Sequence, residues 1–414
     1  MTPQPASSAD APAVAPARRG PVGPLDGVVV LDLATFGPAA RCTRILADYG
    51  ATVVKVGSVP GSGTEPPRTP YYLYSGSRHL RHVGVDLKVP AGRDAFLALV
   101  RGADVVVESF RPGVVDRLGI GFDALSAANP RVILCSTTGY GQDGPRAAWA
   151  GHDINYLAVG GYLGATEPAA DGGPPVSGAT VADAAGGGMQ AALAVMAALI
   201  GRGADGPGVH LDVAIAEGVL WMTSLPVDEY LATGADVGFG HDVISGRYAC
   251  YDTYRCADGR WLAVGAIEPK FFANLCRLLG CEQWAGRQLD DDAQDAMRAD
   301  FAAAFATRDR DGWVDTLAPA DTCVSPVLDA TGITTDAQFA ARRVIVDATV
   351  PPSARGEGVP DAFRQVGPVL AGMPGRGEPV EVGDPRRSDA EELLEAAGMA
   401  AGAIAALRSE GVVA

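Results

Sequence analysis

The chain has 414 residues, 48% of them hydrophobic, enough for two or more domains and a large buried core. Its 33 Lys and Arg against 49 Asp and Glu leave a net charge of −16, which repels nucleic acid and anionic membranes on average, so any anionic ligand requires a local cluster of arginine or lysine. The seven cysteines show no CxxC pair and no metal-ligand spacing, which predicts no metal site and reduced, mostly buried thiols in a cytoplasmic protein.

Residues 1–22 are rich in Ala, Pro and Ser and carry Arg18-Arg19. A twin-arginine signal is not supported, because Val28-Val29-Val30 is too short for a signal core and runs straight into a strand pattern; a disordered tail is expected instead. Val28 to Leu33 reads as a buried parallel strand, Ala39 to Tyr49 as a helix closed by Gly50, and Thr52 to Val56 as a second strand, together a βαβ unit. The alternation continues with a strand from Val83 to Leu87, a helix from Asp94 to Val100 and a strand from Asp104 to Val107. A helix from Phe122 to Ala128 and a strand from Val132 to Ser136 follow. This order predicts a doubly wound, Rossmann-like α/β domain. No GxGxxG opens the first helix, so an ordinary dinucleotide site is not indicated. Ala185 to Ile200 reads as a small-residue helix, and Val209 to Val213 as a strand. The best apolar run, Ala191 to Ile200, is about half of a membrane span, so no membrane partner is expected.

Beyond residue 225 the texture changes. Tyr251 to Val264 alternates around Asp258-Gly259, a hairpin signal, and Phe271 to Leu279 and Asp292 to Phe305 have helical spacing. These segments predict a smaller α+β domain. The Pro- and Gly-rich stretch from about 345 to 390 reads as an extended linker, and short helices at Ala390 to Ala397 and Ala400 to Ser409 close the chain. The expected domains are 23–225, 226–340, and a linker with returning C-terminal helices at 341–414.

The order of segments resembles one family along most of the chain. Pro24-Leu25-Asp26-Gly27 through Ile45-Leu46-Ala47-Asp48-Tyr49-Gly50-Ala51, the run Phe110-Arg111-Pro112-Gly113, and Thr138-Gly139-Tyr140-Gly141-Gln142-Asp143-Gly144-Pro145 are similar to the family III CoA-transferase (CaiB/BaiF) superfamily. Gly151-His152-Asp153-Ile154-Asn155-Tyr156, Gly265-Ala266-Ile267-Glu268-Pro269 and Asp321-Thr322-Cys323-Val324-Ser325-Pro326-Val327 resemble its α-methylacyl-CoA racemase branch. The resemblance implies a Rossmann-like large domain built from both ends of the chain, a small domain between, and an interlocked homodimer. It implies an acyl-CoA thioester substrate and no cofactor beyond the CoA that the substrate carries. It also implies His152 and Asp183 as two acid/base groups, Glu268 as the partner of His152, and Arg78, Arg81 and Arg111 as ligands of the CoA phosphates.

The chemistry suits these residue types. Inverting a carbon next to a thioester takes a proton from one face and returns one to the other through an enolate, so two groups of comparable basicity must flank it. Burial raises a carboxyl and a neighbouring carboxylate keeps an imidazole charged, which brings the two together. The glycines after Asp183 are expected at a helix N-terminus, where the Gly186 and Gly187 N–H groups would meet the enolate oxygen. The alternatives are a CoA-transferase in which Asp183 is the nucleophile, and a CoA-thioester-binding protein without catalysis. Asp183 also reads as a helix cap, Arg78 and Arg81 as solvated surface charges, and Cys323 as a buried, inert thiol. Ala184 stands where the family carries an aromatic residue, which either enlarges the acyl pocket or is compensated in the core.

Overall fold

The computed structural model describes residues 22–34, 37–59, 78–235, 237–355, 360–368, 372, 375–384 and 387–414. The tail expected at 1–22, with Arg18-Arg19, lies outside the described residues except for Val22. The chain separates into two units. The first comprises residues up to Gly160, Gly178–Trp221 and Ala337–Ala414; the second comprises Gly161–Ser177 and Met222–Asp336.

The first unit is built on six parallel strands: β1 (Val29–Asp32), β2 (Thr52–Gly57), β3 (Arg81–Gly84), β4 (Val105–Glu108), β5 (Ile133–Thr138) and β6 (His210–Ala214). Their order is β3-β2-β1-β4-β5-β6, so the direction of winding reverses between β1 and β4. Successive strand residues serve opposite faces. Val30, Val53, Val105 and Ile133 join one buried cluster, while Leu31, Val54, Val106 and Leu134 join another. Strands buried on both faces must be apolar throughout, and for that reason they read as continuous Val/Ile/Leu runs. The helices of this unit are α1 (Gly37–Asp48), α2 (Pro90–Val100), α3 (Phe122–Ala128), α4 (Asp153–Val159), α5 (Gln190–Arg202) and α6 (Ile215–Met222).

A π-helix, Ala182–Met189, runs directly into α5. The combined stretch, Ala182–Arg202, is 21 residues long and by length and composition alone apolar enough to cross a membrane. The sequence reading underestimated it by counting only from Ala191. Its N-terminal half is packed within the unit. A Cβ on Gly187 would meet the Pro38 Cβ at 2.5 Å, and one on Gly188 would meet the Arg41 Cβ at 2.7 Å. Farther along, Met189, Leu193 and Ile200 are exposed.

The second unit holds an antiparallel sheet of β7 (Tyr251–Arg255), β8 (Trp261–Gly265) and β9 (Val324–Pro326) in the order β7-β8-β9. The expected hairpin is present, and Gly259 takes φ +78° in its turn, a conformation that favours glycine. α7 (Ser224–Thr233) precedes the sheet, and α8 (Pro269–Leu279), α9 (Gln294–Phe305) and α10 (Arg310–Leu317) follow β8. Phe272 and Leu275 of α8, Phe301 and Phe305 of α9, and Tyr254 form its core. Residues 161–177, assigned from sequence to the large domain, belong to this unit.

The stretch read as a linker carries a third sheet within the first unit: β10 (Ile345–Thr349), β11 (Ala362–Val366) and β12 (Val380–Glu381). Short strands between prolines and glycines leave no periodicity to read. The closing helices α11 (Ala390–Ala396) and α12 (Ala401–Ser409) send Leu393, Leu394 and Ile404 into the cluster that holds Leu31 and Phe96. Ala414 exchanges backbone hydrogen bonds with Gly84, so both ends of the chain build this unit.

Candidate functional site

In an open parallel sheet, ligands bind beyond the carboxyl ends of the strands where the order reverses. Here that place lies beyond β1 and β4. Asp32 ends β1, fully buried, and its carboxylate accepts from the Thr43 hydroxyl at 2.7 Å, the Lys55 ammonium at 2.9 Å and the Ala34 N–H at 2.8 Å. These bonds tie the end of β1 to α1 and β2. α1 then carries Pro38 and Arg41 against the π-helix, which holds Asp183 in its first turn.

Each residue of Gly151-His152-Asp153-Ile154-Asn155-Tyr156 except Ile154 has an assignable local reason. Tyr156 is buried, and its hydroxyl donates to the Gly151 carbonyl at 2.6 Å. A Cβ on Gly151 would come within 2.7 Å of its ring, so only glycine fits there. His152 is the N-cap of α4, exposed, and its N–H donates to Asn155 Oδ1 at 3.0 Å. Asp153 accepts the Asp183 N–H at 2.8 Å, so the free amide at the start of the π-helix is capped by a neighbouring carboxylate.

The half-buried Asp183 carboxyl is pushed above its usual range, first by desolvation and then by the Asp153 charge; Arg41 and His152 pull the other way. The Tyr156 phenol is pushed up to about 12, first by burial and then by Asp183. His152 and Asp183 therefore lie within electrostatic reach of each other, with Asp153, Tyr156 and Arg41 around the carboxyl. Sequence reasoning singled out none of these last three. The signal for Asp153 was its place inside the motif. Arg41, on α1, is exposed, and its guanidinium donates to Thr180 Oγ1 at 2.6 Å.

The structure corrects the reading of Gly186 and Gly187. The helix begins before Asp183, so their amides fall inside an i→i+5 ladder and not at a free end. Their smallness serves packing. A Cβ on Gly186 would meet the Ile215 carbonyl at 2.9 Å, and one on Gly218 of α6 would meet the Gly186 carbonyl at 2.0 Å. Ala184, next to Asp183, is half-buried.

Arg78 and Arg81 also differ from expectation, for they are neither surface charges nor open cations. Arg78, 1% exposed, forms a two-pronged pair with Asp48, at 2.7 Å through Nε and 2.5 Å through the terminal nitrogen, and donates to the Val366 carbonyl at 2.7 Å. Arg81, 2% exposed, pairs with Glu392 and lies 3.7 Å from Asp389. Both guanidiniums tie β3 and the chain before it to other parts of the first unit. Arg111, by contrast, is exposed just beyond β4.

Glu268 lies in the second unit. It is the exposed N-cap of α8 with Pro269 at the first helical position, as a helix start requires. Cys323, expected to be buried, is exposed and takes φ +52°; burial and then the Glu268 charge raise its thiol pKa. The other six cysteines are buried and free. Cys323 and Gly265 line a cleft of about 720 Å³ in this unit, walled by Met222, Leu225, Phe239 and Val264. Among the described residues no cluster of His, Cys, Asp and Glu has metal-binding geometry.

The chain is 35% identical over 305 residues to an α-methylacyl-CoA racemase of Homo sapiens, covering 73% of this chain and 78% of that one. It is 32% identical over 345 residues to an acetyl-CoA:oxalate CoA-transferase of Acetobacter aceti, covering 79% and 86%. A crystal structure of a CaiB/BaiF family protein from Brucella suis superposes with a TM-score of 0.69 at 27% identity, covering 94% of this chain and all of that one. The profile of CoA-transferase family III matches residues 25–378, and the chain belongs to that family, an enzyme of the CoA-transferase and racemase superfamily.

Proposed function

We propose that the protein racemises 2-methylacyl-CoA thioesters by proton transfer at C2, with His152 and Asp183 as the two acid/base groups. One group takes the C2 proton, the electron pair delocalises into the thioester as an enolate, and the other group delivers a proton to the opposite face. The roles exchange for the other enantiomer. The observation that carries this reading is the carboxyl of Asp183, raised by desolvation and Asp153 within reach of an imidazole. Such a carboxyl is drawn towards the neutral form, which suits a proton donor. A nucleophilic Asp183 would need no imidazole beside it, so the presence of His152 favours this reading over the transferase chemistry named for the Acetobacter relative.

Glu268 is assigned as the partner of the His152 imidazole, and Arg111 as a ligand of the CoA phosphates, where an exposed guanidinium suits an anion. A cytoplasmic homodimer that uses no cofactor belongs to the same reading. Incubating one enantiomer of a 2-methylacyl-CoA in deuterated water tests it. Deuterium at C2 together with inversion is expected; exchange of CoA onto a free acid without inversion would make the protein a transferase.

Asp153→Asn removes the charge that raises Asp183 but keeps an oxygen for its N–H. For the enantiomer from which Asp183 takes the proton, the acid limb of kcat/KM is expected to move to lower pH, because the pKa of Asp183 falls when a neighbouring anion is removed. A pH profile superimposable on that of the wild type would remove Asp153 from the tuning.

A further inference from the structure

Glu108 ends β4 with its carboxyl buried, 2% exposed, after three valines. A carboxyl there costs desolvation that another valine would not incur, so it needs an employment. Its Oε2 accepts the Phe110 N–H at 2.7 Å, and Ser136, its register partner on β5, hydrogen-bonds to it. Ser136 is itself held, 2.9 Å from His210 Nε2. The turn that follows is secured at three points. The Phe110 amide is bound to Glu108, the Phe110 ring packs on the core of the first unit, and the Arg111 carbonyl accepts the Val114 N–H at 3.1 Å. Gly113 takes φ +76°, which turns the chain into the helical turn Val114–Arg117. Between these fixed points lies Arg111, exposed, beyond a strand at the reversal of the sheet order.

We propose that Glu108 is a positioning residue for CoA binding, which holds the Phe110 amide and thereby presents the Arg111 guanidinium to phosphate in one geometry. The proposal rests on the reading of Arg111 as a phosphate ligand. Desolvation pushes the Glu108 carboxyl upward, while its hydrogen bonds from Ser136 and the Phe110 amide pull it down.

The test compares Glu108→Leu, which fills the same space without an acceptor, with Glu108→Gln, which keeps one. CoA is titrated into each by calorimetry, and kcat and KM are measured with a 2-methylacyl-CoA. Glu108→Leu is expected to weaken CoA about tenfold, the order of one lost hydrogen bond, with kcat at saturation within about twofold of wild type. Glu108→Gln should restore the affinity. If Glu108→Leu binds CoA like the wild type while Arg111→Ala does not, the positioning role is overturned and the Arg111 reading survives. If Arg111→Ala binds CoA unchanged, the reading of Arg111 fails and the proposal falls with it. Should Glu108→Leu not fold, Glu108→Ala, which removes the same acceptor for the Phe110 amide, takes its place, and unchanged CoA affinity there would equally overturn the proposal.

Discussion

Replacing either His152 or Asp183 with Ala is expected to stop inversion of a 2-methylacyl-CoA, lowering the rate by roughly 10²–10⁴-fold, the usual worth of a positioned acid/base group. The informative readout is exchange. Each variant keeps one group, and that group can still remove and return a proton on its own face. Deuterium incorporation from solvent should therefore persist with one enantiomer in His152→Ala and with the other in Asp183→Ala, while neither product inverts. His152 is exposed and Asp183 half-buried, so neither substitution opens a core cavity, and the melting temperature should hardly move. A nucleophilic Asp183 predicts a different pattern, in which Asp183→Ala loses exchange of CoA between acids and His152→Ala keeps it. Normal inversion in either variant would remove that residue from the mechanism.

Arg78→Ala is expected to destabilise the first unit by about 3–5 kcal/mol, the cost of breaking a buried pair from one side. The Asp48 carboxylate would lose both prongs of its partner, and the Val366 carbonyl would lose a donor. Arg44, 3.9 Å from Asp48, cannot replace that geometry, although its own charge should become easier to keep. Burial and then the Arg78 charge now push Arg44 down to about 10. Denaturant unfolding followed by far-UV circular dichroism measures the loss directly. Arg111→Ala, at an exposed position, should weaken CoA with little change in stability, so the two arginines separate cleanly. Full stability in Arg78→Ala with weakened CoA binding would reverse this assignment.

The inner strands of the parallel sheet were legible because they are buried on both faces and therefore written as near-continuous apolar runs, as in Val29–Asp32, Val105–Glu108 and Ile133–Thr138. The hairpin at Asp258-Gly259 was legible because one turn geometry demands glycine. The third sheet was not, since its strands lie between prolines and glycines and are defined by partners far along the chain, as Ala348 is by Val380. The exposure of Cys323 was hidden for a related reason: a lone thiol reads as core by default until the strand beside it is placed.

What the sequence determined by itself was the family and the order of its elements, because these rest on motifs and local spacing; the pairing of His152 with Asp183 came only as what the resemblance implies. What only the tertiary structure decided was the employment of each charge. Arg78 and Arg81 carry the same sign as Arg111, yet two are buried against carboxylates and one is exposed beyond a strand end. Asp153 tunes Asp183 only because the start of α4 meets the start of the π-helix, 30 residues apart in sequence. Electrostatic interactions depend on distance and dielectric, and neither is set until the chain has closed on itself.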